Sequence, residues 1–183
     1  MSDPRGTLLD ILRRDAVLHG DFVLSSGRRS SFYLDARRVT LSARAAPLVG
    51  LVFLRHLQNL DIDAVAGLTL GADPIVSAIA VVSGQHGHPL DGLIVRKAAK
   101  EHGAGRRIEG PWRDGLAVVV VEDTMTSGAS ALDAARAIGD AGGKVRAIWG
   151  LIDREEGARE AIEGAGFDFG AIYSVAEILA VRP

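Results

Sequence analysis

Two neighbouring carboxylates, Glu122 and Asp123, follow an unbroken apolar run at residues 117–121. They precede a stretch of small and hydroxylic residues: Thr124, Met125, Thr126, Ser127, Gly128, Ala129 and Ser130. The stretch leads directly into helical periodicity, so its backbone N–H groups would stand at a helix N-terminus, where a phosphate is well held. The two acids repel a phosphate. They make chemical sense if they face another part of the same ligand: sugar hydroxyls, which donate to carboxylates, or a Mg²⁺ ion that the ligand carries. A phosphorylated ribose meets both requirements. The alternative is a strand ending in solvated acids and then an ordinary capped helix. No Gly-Lys-Ser/Thr and no complete GxGxxG occurs in the chain, which excludes a Walker loop.

A second cluster is basic. Arg96, Lys97, Lys100, Arg106 and Arg107 fall within twelve residues, with His102 among them and Glu101 as the opposing charge. The chain has only three lysines against 18 arginines, and two of the three lie here. Compact ammonium groups beside Gly103, Gly105 and Gly110 suit a movable lid over a polyanionic leaving group, whose charge grows in the transition state. The alternative is a solvated basic loop.

The elements that must position these residues can be read from periodicity. Residues 7–12 mark a short amphipathic helix, with Thr7 and Asp10 placed as a capping box. Residues 22–24 and 31–35 read as strands around a turn, and 42–57 as a helix. From residue 62 onward apolar runs at 64–67, 93–95, 117–121, 147–152 and 169–173 alternate with helical stretches at 74–82, 130–141 and 155–163. Such alternation, with uninterrupted β-branched strands, predicts an α/β fold with a parallel sheet covered on both faces. Residues 97–116 break the rhythm and are expected to form a functional loop. Gly142 and Gly143 are expected to end a helix.

Composition bounds the function classes. At 183 residues, 48% hydrophobic, the chain predicts one globular domain. Twenty-one basic against 23 acidic residues, net charge -2, argues against coating nucleic acid or an anionic membrane. The absence of cysteine excludes disulfides and thiolate chemistry and fits a reducing compartment. The longest apolar stretch, 45–54, is far short of the ~20 residues a membrane-spanning helix needs, and the charged N-terminus does not read as a signal peptide.

The motif VVVVEDTMTSGAS resembles the ribose-phosphate signature of type I phosphoribosyltransferases. RKAAKEHG, residues 96–103, resembles the lid of their orotate branch, and FVLSSGRRSSFYLD and Ile152-Asp153-Arg154-Glu155 extend the likeness over most of the chain. The resemblance implies a single domain over residues 1–183: a central, mostly parallel sheet with helices on both faces, a small hood from about 1–40 and the C-terminal end, and a flexible catalytic loop. It implies Mg²⁺-dependent transfer of a phosphoribosyl group from 5-phosphoribosyl 1-pyrophosphate (PRPP) to orotate, in the cytoplasm, by a homodimer whose lids are shared across the interface. By the same resemblance Glu122 and Asp123 hold the ribose hydroxyls and residues 124–130 cradle the 5-phosphate. Arg96, Lys97, Lys100 and His102 meet the pyrophosphate, with Lys100 and His102 as the catalytic pair. Thr126 and Arg154 contact orotate; a guanidinium suits a carboxylate because it pairs in a fork. The metal is expected to be carried by PRPP, its other ligands being either water alone or a protein carboxylate, with Asp123 reached through water as the candidate.

Two departures stand out. Family members carry a lysine where this chain has Ser25, and some carry another in the loop that here reads Gly67-Leu-Thr-Leu-Gly71-Ala-Asp-Pro74. Phe32 and Tyr33 suit either stacking on a base or core packing. His86 and His88 are expected to be solvated turn residues, and His19 and His56 ordinary ones. The competing readings are a purine phosphoribosyltransferase, opposed by the lid, and a non-catalytic regulator acting through nucleic acid, opposed by the charge balance.

Overall fold

The structure is a computed structural model that describes residues 3–23, 29–98 and 107–180. Asp3 starts helix α1 (Pro4–Ile11), its carboxylate accepting from the N–H groups of Arg5 and Gly6. The expected capping box at Thr7 and Asp10 is therefore not the cap; the helix begins one turn earlier, where Pro4 fixes the first turn. A π-helical turn, Leu12–Ala16, follows and leads into β1 (Val17–Val23). β1 pairs antiparallel with β2 (Arg29–Leu34) in a separate two-stranded sheet.

After α2 (Arg37–Thr40) comes α3 (Ala46–Leu57), shorter at its start than the sequence suggests, because residues 42–45 close a turn onto the Ser42 carbonyl. The main body is β3 (Ala64–Leu68), α4 (Asp73–Gln85), β4 (Asp91–Val95), β5 (Ile108–Glu109), β6 (Ala117–Met125), α5 (Ala129–Asp140), β7 (Lys144–Asp153), α6 (Ala158–Gly164), β8 (Asp168–Ser174) and α7 (Val175–Leu179). Its six strands lie in the order β5-β4-β3-β6-β7-β8, all parallel except β5. β5 lies inside the stretch expected to be all loop. Two residues carry no readable period, and their pairing with Ile94 and Val95 comes from tertiary contact.

Alternation along the central strands splits the core in two. Val65, Val119 and Val121 face a cluster with Phe53, Ile75 and Ile79 of α3 and α4. Ala64, Ala66, Val118 and Val120 face Ala134, Ile138 and Ile162 of α5 and α6. These valines and alanines are sealed on both faces, as a parallel sheet requires. Gly142, at φ 90°, closes α5 as expected, and the N–H of Gly143 returns to the carbonyl of Ile138.

The strand order reverses between β3 and β6. From β3 the chain moves to β4 on one side, then returns to β6 on the other. Such a switch opens a crevice beyond the carboxyl ends of the two strands, where α/β sheets bind ligands.

Candidate active site

β6 runs four residues past its valines, so both acids belong to the strand and not to the turn after it. Burial of its last four side chains does not follow the strand's period of two. Glu122 and Met125 are buried, whereas Asp123 and Thr124 are partly open. Met125 packs beside Gly150 of β7, where an added Cβ would meet its Cε at 3.1 Å. Any ligand contact from Met125 therefore falls to its backbone.

One oxygen of Glu122, Oε2, is buried without a hydrogen-bond partner among the described residues. Burial first, and then the neighbouring charge of Asp123, pushes the Glu122 carboxyl up to about 8, with Lys97 pulling the other way. Burial likewise raises Asp123, against the N–H of Thr124, which donates to its Oδ1 at 2.7 Å. The pair therefore holds a proton near neutral pH. That is a costly arrangement for a strand end with no ligand to serve.

A cavity of about 700 Å³ lies at the switch point. Asp123, Thr124, Thr126 and Ser127 line it from β6 and the turn, Gly71 from the loop after β3, and Arg154 from the end of β7. That turn closes at Gly128, which adopts φ 75° and opens α5. A side chain there would combine left-handed strain with a contact at 3.2 Å to Ile162. The first N–H groups of α5 have no acceptor within their own helix, so they are free to meet an anion. Gly128, Ala129 and Ser130 do not line the cavity through their side chains.

The loop between β3 and α4 carries the cis peptide Thr69–Leu70, and Thr69 Oγ1 donates to Asp73 at 2.8 Å. A Cβ on Gly71 would lie 2.8 Å from Asp123 Oδ1, so backbone and carboxylate touch there. Arg154 is fixed from three sides. Its N–H donates to the Met125 carbonyl at 2.9 Å, its guanidinium pairs with Glu156 at 2.9 Å, and the same group lies 5.7 Å from the ring of Phe32. Only 10% of the side chain is exposed. Phe32 thus packs against the core and the arginine, while Tyr33 lines the cavity.

The other expected residues fall elsewhere. Arg96 turns from the cavity: its guanidinium is 3.6 Å from Glu109, and its backbone N–H donates to the Arg107 carbonyl. Arg107 in turn forks onto Asp133 of α5 at 2.5 and 3.2 Å. Lys97 is exposed and acts on Glu122 through its charge. Lys100, His102 and Ser25 lie outside the described residues.

Sequence reasoning missed three charged cavity residues: Asp35, Arg37 and Glu156. Position offered a signal for Asp35 alone, which directly follows β2; Arg37 and Glu156 lie three residues past the ends of β2 and β7. His86 and His56 bond through Nδ1 to carbonyls of their own helices, and no metal-binding group of three appears among the described residues.

No family model matches the chain. It is 48% identical over 179 residues to the orotate phosphoribosyltransferase of Streptomyces avermitilis, covering 97% of this chain and 98% of that one. The structure of Mycobacterium tuberculosis orotate phosphoribosyltransferase with Fe(III) dicitrate superimposes with a TM-score of 0.89 at 43% identity, covering 97% of this chain and 100% of the other. The same enzyme in complex with PRPP gives a TM-score of 0.83 at 39% identity over 96% and 99% of the two chains.

Proposed function

The chain belongs to the orotate phosphoribosyltransferases, and from that membership we propose how its residues carry out the transfer of 5-phosphoribosyl from PRPP to orotate. The products are orotidine 5'-phosphate, a precursor of UMP, and pyrophosphate. The observation that carries the assignment of roles is a single cavity at the strand switch point, which receives Asp123 from β6 and Arg154 from β7.

Asp123 and Glu122 accept from the ribose hydroxyls, and the backbone from Thr124 to Ser130 holds the 5-phosphate at the start of α5. Arg154 meets the orotate carboxylate, and Thr126 lies beside the base. The C1–O bond to pyrophosphate loosens towards an oxocarbenium-like ribose, and orotate N1 forms the new bond from the opposite face. Positioning two anions and neutralising the leaving group is most of the work. Arg96, Lys97, Lys100 and His102 serve the pyrophosphate, with Lys100 and His102 giving it a proton or hydrogen bond as it departs.

The donor set fits Mg²⁺ held mainly by the substrate: the cavity offers hard carboxylate oxygen from Asp123 but no cluster of three ligands among the described residues. When bound, the ion would offset charge on the diphosphate. For a homodimer, support comes from the exposed apolar side chains Leu41 and Val81, which line a groove of about 600 Å³ beside α4. A single domain, with residues 1–40 and the C-terminal end as its hood, agrees with α1 and α7 meeting through the Arg5–Glu177 pair at 2.8 Å. No helix among the described residues is long and apolar enough to cross a membrane, in keeping with a cytoplasmic enzyme.

The test is loss of orotate absorbance with PRPP and Mg²⁺, beside parallel reactions offering adenine, hypoxanthine and uracil and a control lacking metal. Metal-dependent turnover of orotate alone is expected. Turnover of a purine or uracil instead would remove Arg154 as the carboxylate clamp.

A further inference from the structure

PRPP and orotate together bring a carboxylate, a 5-phosphate and a diphosphate into one cavity, and each needs donors or positive charge. On the reading above, Arg154 serves the carboxylate and the first turn of α5 serves the 5-phosphate. The diphosphate is left to Arg96, Lys97, Lys100 and His102, of which Arg96 turns towards Glu109, and its charge increases as the C1–O bond breaks. Among the described residues that line the cavity, the cationic side chains are Arg154 and Arg37. Arg154 is nearly enclosed and already paired with Glu156.

The loop after β3 has no cation to offer at Gly71. A Cβ there would stand 2.8 Å from Asp123 Oδ1 and 3.1 Å from Oδ2, so a side chain would have to shift the carboxylate. Arg37, the first residue of α2, lines the same cavity from the hood. Its side chain is 48% exposed, which leaves it open to a ligand. Its Nε lies 3.1 Å from Asp35 Oδ1, so Asp35 aims the fork by one edge. A guanidinium has five N–H donors, and one aimed edge leaves others for phosphate oxygens. Asp123 also acts on Arg37 through its charge, which sets the two side chains near one another at the cavity wall.

We propose that Arg37 is a substrate-binding residue that grips the diphosphate of PRPP from the hood, supplying a cation to the cavity wall where the loop after β3 has Gly71. Asp35 is its positioning residue. The proposal rests on the functional reading above, and it makes the hood part of the PRPP site as well as its cover.

The test uses the full chain with Arg37→Gln and Arg37→Lys. Initial rates are measured against PRPP at saturating orotate and against orotate at saturating PRPP, and pyrophosphate binding is followed by calorimetry with Mg²⁺ present. For Arg37→Gln, loss of a charge-assisted contact should raise the PRPP KM and weaken pyrophosphate binding by about 10- to 100-fold, leaving the orotate KM within about twofold. Arg37→Lys should recover part of both losses, which a merely structural role would not produce. Unchanged PRPP KM and pyrophosphate affinity in a variant that melts like the wild type overturns the proposal, as does a rise confined to the orotate KM. If Arg37→Gln melts early, Arg37→Lys decides: a smaller loss in the same two quantities supports the proposal, and no loss overturns it. Wild-type enzyme inert towards orotate would instead count against the functional reading, while pyrophosphate calorimetry would still test Arg37.

Discussion

Two hollows of nearly equal size sit at opposite ends of the same strands. The cavity at the carboxyl ends of β3 and β6 measures about 700 Å³, and the one beneath the amino ends of β3 and β4 about 750 Å³. The lower hollow includes Leu54, Leu57, Leu60, His86 and His88, and His86 is already satisfied by the Val82 carbonyl. The upper one gathers Arg37, Asp123 and Arg154, with the unpartnered Glu122 oxygen in the strand just behind. Volume does not separate the two. Unspent polar capacity does: buried groups that lack partners among their neighbours cost free energy, and a fold keeps them where a ligand completes them.

Substitutions at the two ends should therefore diverge. On the roles proposed above, the largest effect is expected from Lys100→Ala, which should lower kcat by about 10²–10⁴-fold with little change in orotate binding. Single-turnover rates check it, and an unchanged kcat removes Lys100 from the mechanism. Asp123→Asn should lower kcat/KM for PRPP by about 10²–10³-fold, because a charged acceptor aimed at the ribose is lost. Steady-state kinetics decide the matter, with the melting temperature as the control for folding.

Arg154→Gln should raise the orotate KM about 10- to 100-fold and leave the PRPP KM nearly unchanged, since one charge-assisted fork is removed.

Glu122→Gln should stabilise the ligand-free protein while impairing turnover. The folded carboxyl keeps its proton up to about pH 8, whereas the unfolded one loses it near the ordinary glutamate value of 4.5. Across that window the native state binds more protons, so wild-type stability falls as pH rises. The variant should gain on the order of a few kcal/mol at pH 8 and little at pH 4.5, read from urea unfolding at both. Equal gains at the two pH values would mean that the acid is ionised in the fold.

His88→Ala at the lower hollow should change neither kcat nor either KM beyond about twofold, as expected of a surface site away from the chemistry. A larger loss would make the two ends of the sheet functional equals.

The sequence made the parallel sheet and the acid pair legible for a physical reason. Residues 117–121 are unbroken apolar β-formers, and a carboxylate pair immediately beyond them has few structural uses. Met125 was not separable from its neighbours by type; its place in the core comes from packing beside Gly150 of β7, which no local pattern shows. β5 was hidden because two residues have no period, and α6 starts later than expected because Glu155 adopts φ 57° in the turn after β7. Arg37 was illegible for a different reason. It sits 86 residues before Asp123 in the chain, and only the folding of the hood onto the sheet brings the two to one cavity wall.

β6 is hydrogen-bonded on one side to β3 and on the other to β7, while β1 and β2 form a sheet of their own. Native-state amide exchange should therefore divide the active site by clock. A two-stranded ribbon opens in low-energy fluctuations, whereas a doubly paired central strand exchanges through openings near the global unfolding free energy. The walls that admit and release nucleotide can open many times while the amides behind the acids, at Val119 and Val120, keep their protons.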